Sequence, residues 1–157
     1  MAHIFKIVTV YILGFMYSVN GESKLMSIMI ENLMDCMAQA PENFSLDVCQ
    51  EMLRDGNDNS LVKYDSCKCL GACTSKKLGI MDANGIGVKS KVEEYIAQLD
   101  NEVWRNEAIK ILKKCADTPG KNCDLSYNFM VCTMENSSLV RDFVKAMTSG
   151  DKSKEEN

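Results

Sequence analysis

The sequence predicts an all-α domain tied by disulfides, and three observations carry that expectation. Apolar residues recur at helical spacing almost throughout, and no segment alternates as a half-buried strand does. Pro41, the run DGNDNS and the run TPGKN cut the chain into helix-length pieces. Eight cysteines, Cys36, Cys49, Cys67, Cys69, Cys73, Cys115, Cys123 and Cys132, follow a short apolar leader. An even count in a small secreted chain reads as a disulfide framework, because that compartment keeps thiols oxidised.

The leader, residues 1–21, places Lys6 before an apolar run from Ile7 to Tyr17, with the small residues Val19 and Gly21 where a signal peptidase favours them. It predicts a signal peptide cut after Gly21 and a secreted, extracellular product. The run is short for a bilayer, and no later stretch approaches the roughly 20 apolar residues of a membrane span. Cleavage leaves 136 residues, enough for one domain with a modest core. That domain is expected over residues 22–149, with GDKSKEEN, residues 150–157, as a polar disordered tail.

Taken in order, the first helix is expected from about Lys24 to Gln39, with Leu25, Met29, Leu33 and Cys36 on one face, and Pro41 stops it. Ser45 stands where an N-cap belongs for a short second helix through Leu53, which DGNDNS ends. The third spans about Leu61 to Lys77 and carries three clustered cysteines. After the loop GIMDANGIG, a fourth covers Lys89 to Leu99. Asn101 starts a fifth that reaches Cys115, with Trp104, Ala108, Ile111 and Leu112 on the face of that cysteine. The sixth runs from Cys123 to Glu135, and SSLVRDFVKAM adds a further amphipathic piece able to serve as a lid through Leu139, Phe143 and Met147.

The stretch DSCKCLGACTSKKLGIMDANGIG, residues 65–87, concentrates the chemistry. Zinc sites want cysteine pairs or histidines at set distances. Here the spacing is C-x-C-x3-C, and the single histidine, His3, leaves with the leader. Oxidised thiols do not ligate metals, so no metal is expected. Redox centres want C-x-x-C, which is absent. Counting Asp82 as the first position of a calcium loop puts Asn84 third, Gly87 sixth, Ser90 ninth and Glu93 twelfth, all acceptable types, but Ile86 fills the fifth and Lys89 adds the wrong charge. A tight turn built on Gly85 and Gly87 is the favoured reading. Cys69 and Cys73, four apart on one helix face, suit two different partners better than each other. Cys67 lies about 200° from Cys69 around a 3.6-residue turn and looks elsewhere.

Setting aside Cys49 and Cys67, the cysteines read Cys36-x32-Cys69-x3-Cys73-x41-Cys115-x7-Cys123-x8-Cys132. This spacing, with GIMDANGIG between the third and fourth helices, resembles the six-cysteine signature of insect odorant-binding proteins of the pheromone-binding and general-odorant-binding family. The likeness covers essentially the whole mature chain. It implies six or seven helices around an apolar cavity, with bonds Cys36–Cys73, Cys69–Cys123 and Cys115–Cys132. Cys49 and Cys67 depart from that pattern and are expected to bond each other, the alternative being two unpaired buried thiols.

Function follows the same lines. With no histidine, the Ser-His-Asp and Cys-His constellations are excluded, and Glu93 and Glu94 belong to exposed helix faces, so binding is expected rather than catalysis. The formal charge, −4 for the chain and about −5 once Lys6 is gone, argues against a nucleic-acid partner. The resemblance implies a carrier of small hydrophobic odorants or pheromones, acting as monomer or homodimer, with an olfactory receptor as a further partner and no cofactor. Candidate ligand-binding residues are Leu33, Met52, Ile96, Leu99, Trp104, Ile111, Leu112, Phe129, Met130, Met134 and Phe143. Nine methionines in the mature chain favour a deformable lining. A secreted interaction protein, or a venom or salivary factor that sequesters a host molecule, stays open. Sequons stand at Asn43 and Asn136, and they are not both expected to be glycosylated.

Overall fold

The computed structural model describes residues 23–42, 44–53 and 58–149. The predicted leader, the sequon residue Asn43 and the polar tail lie outside the described residues. Seven α-helices are described: α1 Ser23–Ala38, α2 Leu46–Met52, α3 Asp65–Lys77, α4 Lys89–Ala97, α5 Glu102–Cys115, α6 Asn122–Asn136 and α7 Ser138–Ser149. The fold is all-α, as the apolar periodicity predicts. A 3₁₀ turn, Val62–Tyr64, takes the place expected for the first turn of the third helix, so that helix starts at Asp65 instead of Leu61. Tyr64 in that turn is buried to 1% exposure, which favours the tighter winding that aims its ring inward.

Helix ends follow local chemistry. Asn101 caps α5 by accepting a hydrogen bond from Trp104 N at 3.1 Å, with Glu102 in the first turn and Lys113 and Lys114 in the last, each matched to the helix dipole. Ser45 occupies the N-cap of α2, but its hydroxyl makes no capping bond. Beyond α3, Gly79 turns left-handed at φ 72° and its N–H reaches Lys76 O at 3.0 Å, closing the helix. α4 ends at Ala97, two residues short of the expected Leu99, because Leu99 N bonds Ile96 O at 3.2 Å and tightens the last turn.

The loop between α3 and α4 is a small hairpin. Met81 faces Gly87 across an antiparallel bridge, Asp82 N bonds Ile86 O at 2.8 Å, and Asp82 Oδ1 accepts from Ile86 N at 2.8 Å. The carboxylate that a calcium loop would use first thus closes the turn. Gly85 sits at φ 79°, and its carbonyl accepts from Asn122 N at 2.9 Å, fastening the hairpin to the start of α6.

α3 is the centre of the molecule: it packs most extensively on α6 and next on α1, while α5 and α7 lie on α6 and α4 lies on α5. Gly71 permits the closest approach, since a Cβ there would stand 2.2 Å from Ser126 Oγ. Covalent bonds follow the same plan. Cys73 of α3 joins Cys36 of α1, Cys67 joins Cys49 of α2, Cys69 joins Cys123 of α6, and Cys115 joins Cys132 within the α5–α6 pair. All eight cysteines are bonded, in the three pairs implied by the resemblance and the additional Cys49–Cys67 pair. Among the described residues, the buried apolar side chains are Cys36, Met52, Tyr64, Cys67, Ala72, Leu78, Met81, Leu112 and Cys115. Five of these nine carry sulfur, so the frame depends on cross-links more than on a large aliphatic interior. An ion pair between Lys77 and Asp35 adds to the α1–α3 contact.

Candidate ligand-binding site

Two short helices, α4 and α5, joined by residues 98–101, form the site. α4 buries no side chain fully; Tyr95 Oη donates to Leu78 O at 2.9 Å, and at the helix N-cap Val88 N bonds Ile80 O at 2.9 Å. The corner between the helices is closed by Arg105: its Nε donates to Leu99 O at 2.7 Å, and its Nη2 donates to Leu99 O and, at 3.3 Å, to Asp100 O. These carbonyls lie where α4 ends and would otherwise lack partners.

Between the two helices lies a cleft of about 440 Å³, within the roughly 300–1,000 Å³ of small-molecule sites. Ile96 and Ala97 of α4 and Ile109 and Leu112 of α5 supply its apolar floor, while Lys89, Glu93, Arg105 and Lys113 supply its rim. Each helix contributes positions i, i+4, i+7 and i+8, namely 89, 93, 96 and 97 on one and 105, 109, 112 and 113 on the other. That spacing is a single helical stripe. Lys89 Nζ stands 4.0 Å from Glu93 Oε1.

Of the eleven residues predicted to touch ligand, Ile96 and Leu112 line this cleft. Leu99, Trp104 and Ile111 are half-buried on the same two-helix unit but outside the lining. Met52 and Met130 pack together with Tyr64 and Cys67 in the cluster around the Cys49–Cys67 bond. Phe129 and Met134 are half-buried on α6, Leu33 is 37% exposed on α1, and the Phe143 side chain lies outside the described residues. Sequence reasoning missed Ala97, Ile109 and the four charged rim residues.

The opposite side of α5 ties down the last helix. Ser137, the fully buried residue between α6 and α7, caps α7 by accepting from Val140 N at 3.1 Å. Its hydroxyl donates to the Glu107 carboxylate, which with Lys110 beside it holds Glu107 below the ordinary glutamate value of 4.5. Asn136, the second sequon asparagine, donates its Nδ2 to Cys132 O at 2.9 Å. The nitrogen a glycan would take is engaged in the helix.

Together the frame and the cleft define a small, disulfide-stapled, all-α protein with an apolar-floored site between two helices. The model of the PBP/GOBP family matches residues 22–136, and the chain belongs to that family, one of binding and carrier proteins rather than enzymes. No curated protein matches the chain, and no solved structure does. α7 follows the matched region. No helix among the described residues is long and apolar enough to cross a membrane.

Proposed function

We propose that the chain is a secreted carrier that takes up small hydrophobic ligands, odorants, pheromones or related semiochemicals, and moves them through aqueous extracellular fluid toward an olfactory receptor. In this reading residues 1–21 are removed as a signal peptide. The observation that carries it is the α4–α5 cleft, a concave site with an apolar floor in a cross-linked frame. Taking about 300 Å² of ligand surface out of water gains about 7 kcal/mol. Ordering costs bring the net to roughly tens of micromolar or weaker. Ile96 and Leu112 are the first contacts. Leu33, Leu99, Trp104, Ile111, Phe129, Met134 and Phe143 are proposed for a guest that settles past Leu112. Met52 and Met130 come last, because they already pack on Tyr64.

The test is titration with apolar probes while following Trp104 emission, amide exchange in α4 and α5, and the melting temperature. A response localised to these helices is expected. Probes that leave all three unchanged at saturation overturn the carrier. A second reading, a stapled protein acting through surface contacts, draws on Val62 and Val103, which stand 81% and 67% exposed. It expects loss of partner capture on Val62→Ser with ligand binding absent.

A further inference from the structure

The rim of the cleft is charged in a way that the carrier reading does not require. The chain holds 22 acidic and 18 basic residues, yet three of the four rim residues, Lys89, Arg105 and Lys113, are cations. Glu93, the one anion, has Lys89 beside it at 4.0 Å. Among the described residues no carboxylate lies within ion-pair distance of Arg105 or Lys113. An acidic molecule therefore carries a local positive excess at the lip of its apolar cleft. Screening over about 8 Å in physiological salt makes the near charges, not the distant net charge, decide what is attracted there.

Arg105 is also set in place before any guest arrives. Its bonds to the Leu99 and Asp100 carbonyls occupy Nε and Nη2, leaving the two N–H groups of Nη1 without a protein acceptor among the described residues. A guanidinium already held loses little rotamer freedom when it meets an anion, and its planar fork suits a carboxylate. Its aliphatic stem, like that of Lys113, covers apolar surface while the charged end stays in water. Along the same stripe of α5, Ile109 and Leu112 follow Arg105 by about one and two helical turns, and with Ile96 and Ala97 they offer apolar contact to a chain attached to that head.

Resting on the carrier reading, we propose that the cleft selects single-chain amphiphiles with an anionic head, a long-chain carboxylate above all, the tail lying on Ile96, Ile109 and Leu112 and the head meeting Arg105 and Lys113. A neutral alcohol of equal length gains the floor alone. A cationic analogue gains the floor and meets repulsion at the rim.

The experiment compares dodecanoate, dodecanol and dodecyltrimethylammonium by calorimetric titration of the secreted, disulfide-bonded protein, below micelle formation, at neutral pH and low salt. Dodecanoate is expected to bind about tenfold more tightly than dodecanol, a difference of about 1.4 kcal/mol, and the cation most weakly. Lys113→Gln should cut the acid's advantage about threefold and Glu93→Gln should enlarge it. Lys114→Gln, an exposed neighbour outside the lining, removes the same charge and should leave the preference intact. Equal affinities for acid and alcohol overturn the selectivity and leave the carrier standing. An acid preference that Lys113→Gln does not touch overturns the site, and failure of every probe to bind overturns the carrier itself.

Discussion

At the scale of single residues, two positions separate packing from recognition. Ile109 is 37% exposed yet lies on the cleft floor, so its apolar surface faces the open cleft more than the core. Ile109→Gln is expected to weaken binding of an apolar probe about tenfold while shifting stability by about 0.5 kcal/mol or less, as surface changes do; fluorescence titration and urea unfolding check both halves. The glycines of GIMDANGIG make the complementary case. A Cβ at Gly85 would meet Asn122 N at 2.6 Å, on a backbone at φ 79°. At Gly87 the nearest atom is Leu125 Cδ2 at 3.8 Å. Gly85→Ala should cost about 1–3 kcal/mol and Gly87→Ala much less, read as the difference in melting temperature. The sequence identifies this run as a turn through its glycine content. That Gly85 and not Gly87 carries the left-handed backbone, and that its carbonyl meets Asn122 N, distant in sequence, is not marked in the local composition.

At the scale of elements, helix periodicity locates the helices, and on α5 it picks the packed stripe, not the one that lines the cleft. The apolar pattern picks Trp104, Ala108, Ile111, Leu112 and Cys115, the face that turns toward α6 and the Cys132 bond. The cleft uses the adjoining stripe, Arg105, Ile109, Leu112 and Lys113, with Leu112 at the boundary. A stripe with charged residues at both ends reads as solvated surface when only hydrophobicity is counted. The docking of α7 was equally hidden, since Ser137 and Glu107 pair across 30 positions of chain. That pairing has a pH signature. Glu107 is held below its ordinary value by the Ser137 hydroxyl first and Lys110 second. Its folded value is thus depressed, so its contribution is complete above about pH 4.5 and lost as pH falls through the lower folded value. Ser137→Ala should raise the Glu107 titration midpoint toward the ordinary value and flatten this part of the pH–stability curve, measurable by carboxyl-carbon NMR and urea midpoints.

At the scale of the whole molecule, stability rests on where the sulfurs are. The cysteine spacing made the family legible, and α3 with its three bonds is the hub that spacing encodes. Cys36, Cys67 and Cys115 each bury one end of their bond, whereas Cys69 is exposed and Cys123 half-buried. Limited reduction and alkylation should therefore label Cys69 and Cys123 first, and mass mapping of the labelled peptides reads the order. In the chain-entropy picture the Cys36–Cys73 loop of 37 residues is worth about 3 to 4 kcal/mol. Of the helices from α1 to α6, α4 alone has no cysteine. One wall of the cleft is thus basted where its neighbours are sewn: a tyrosine hydroxyl and an arginine clasp hold it, and no covalent seam ties it to the frame.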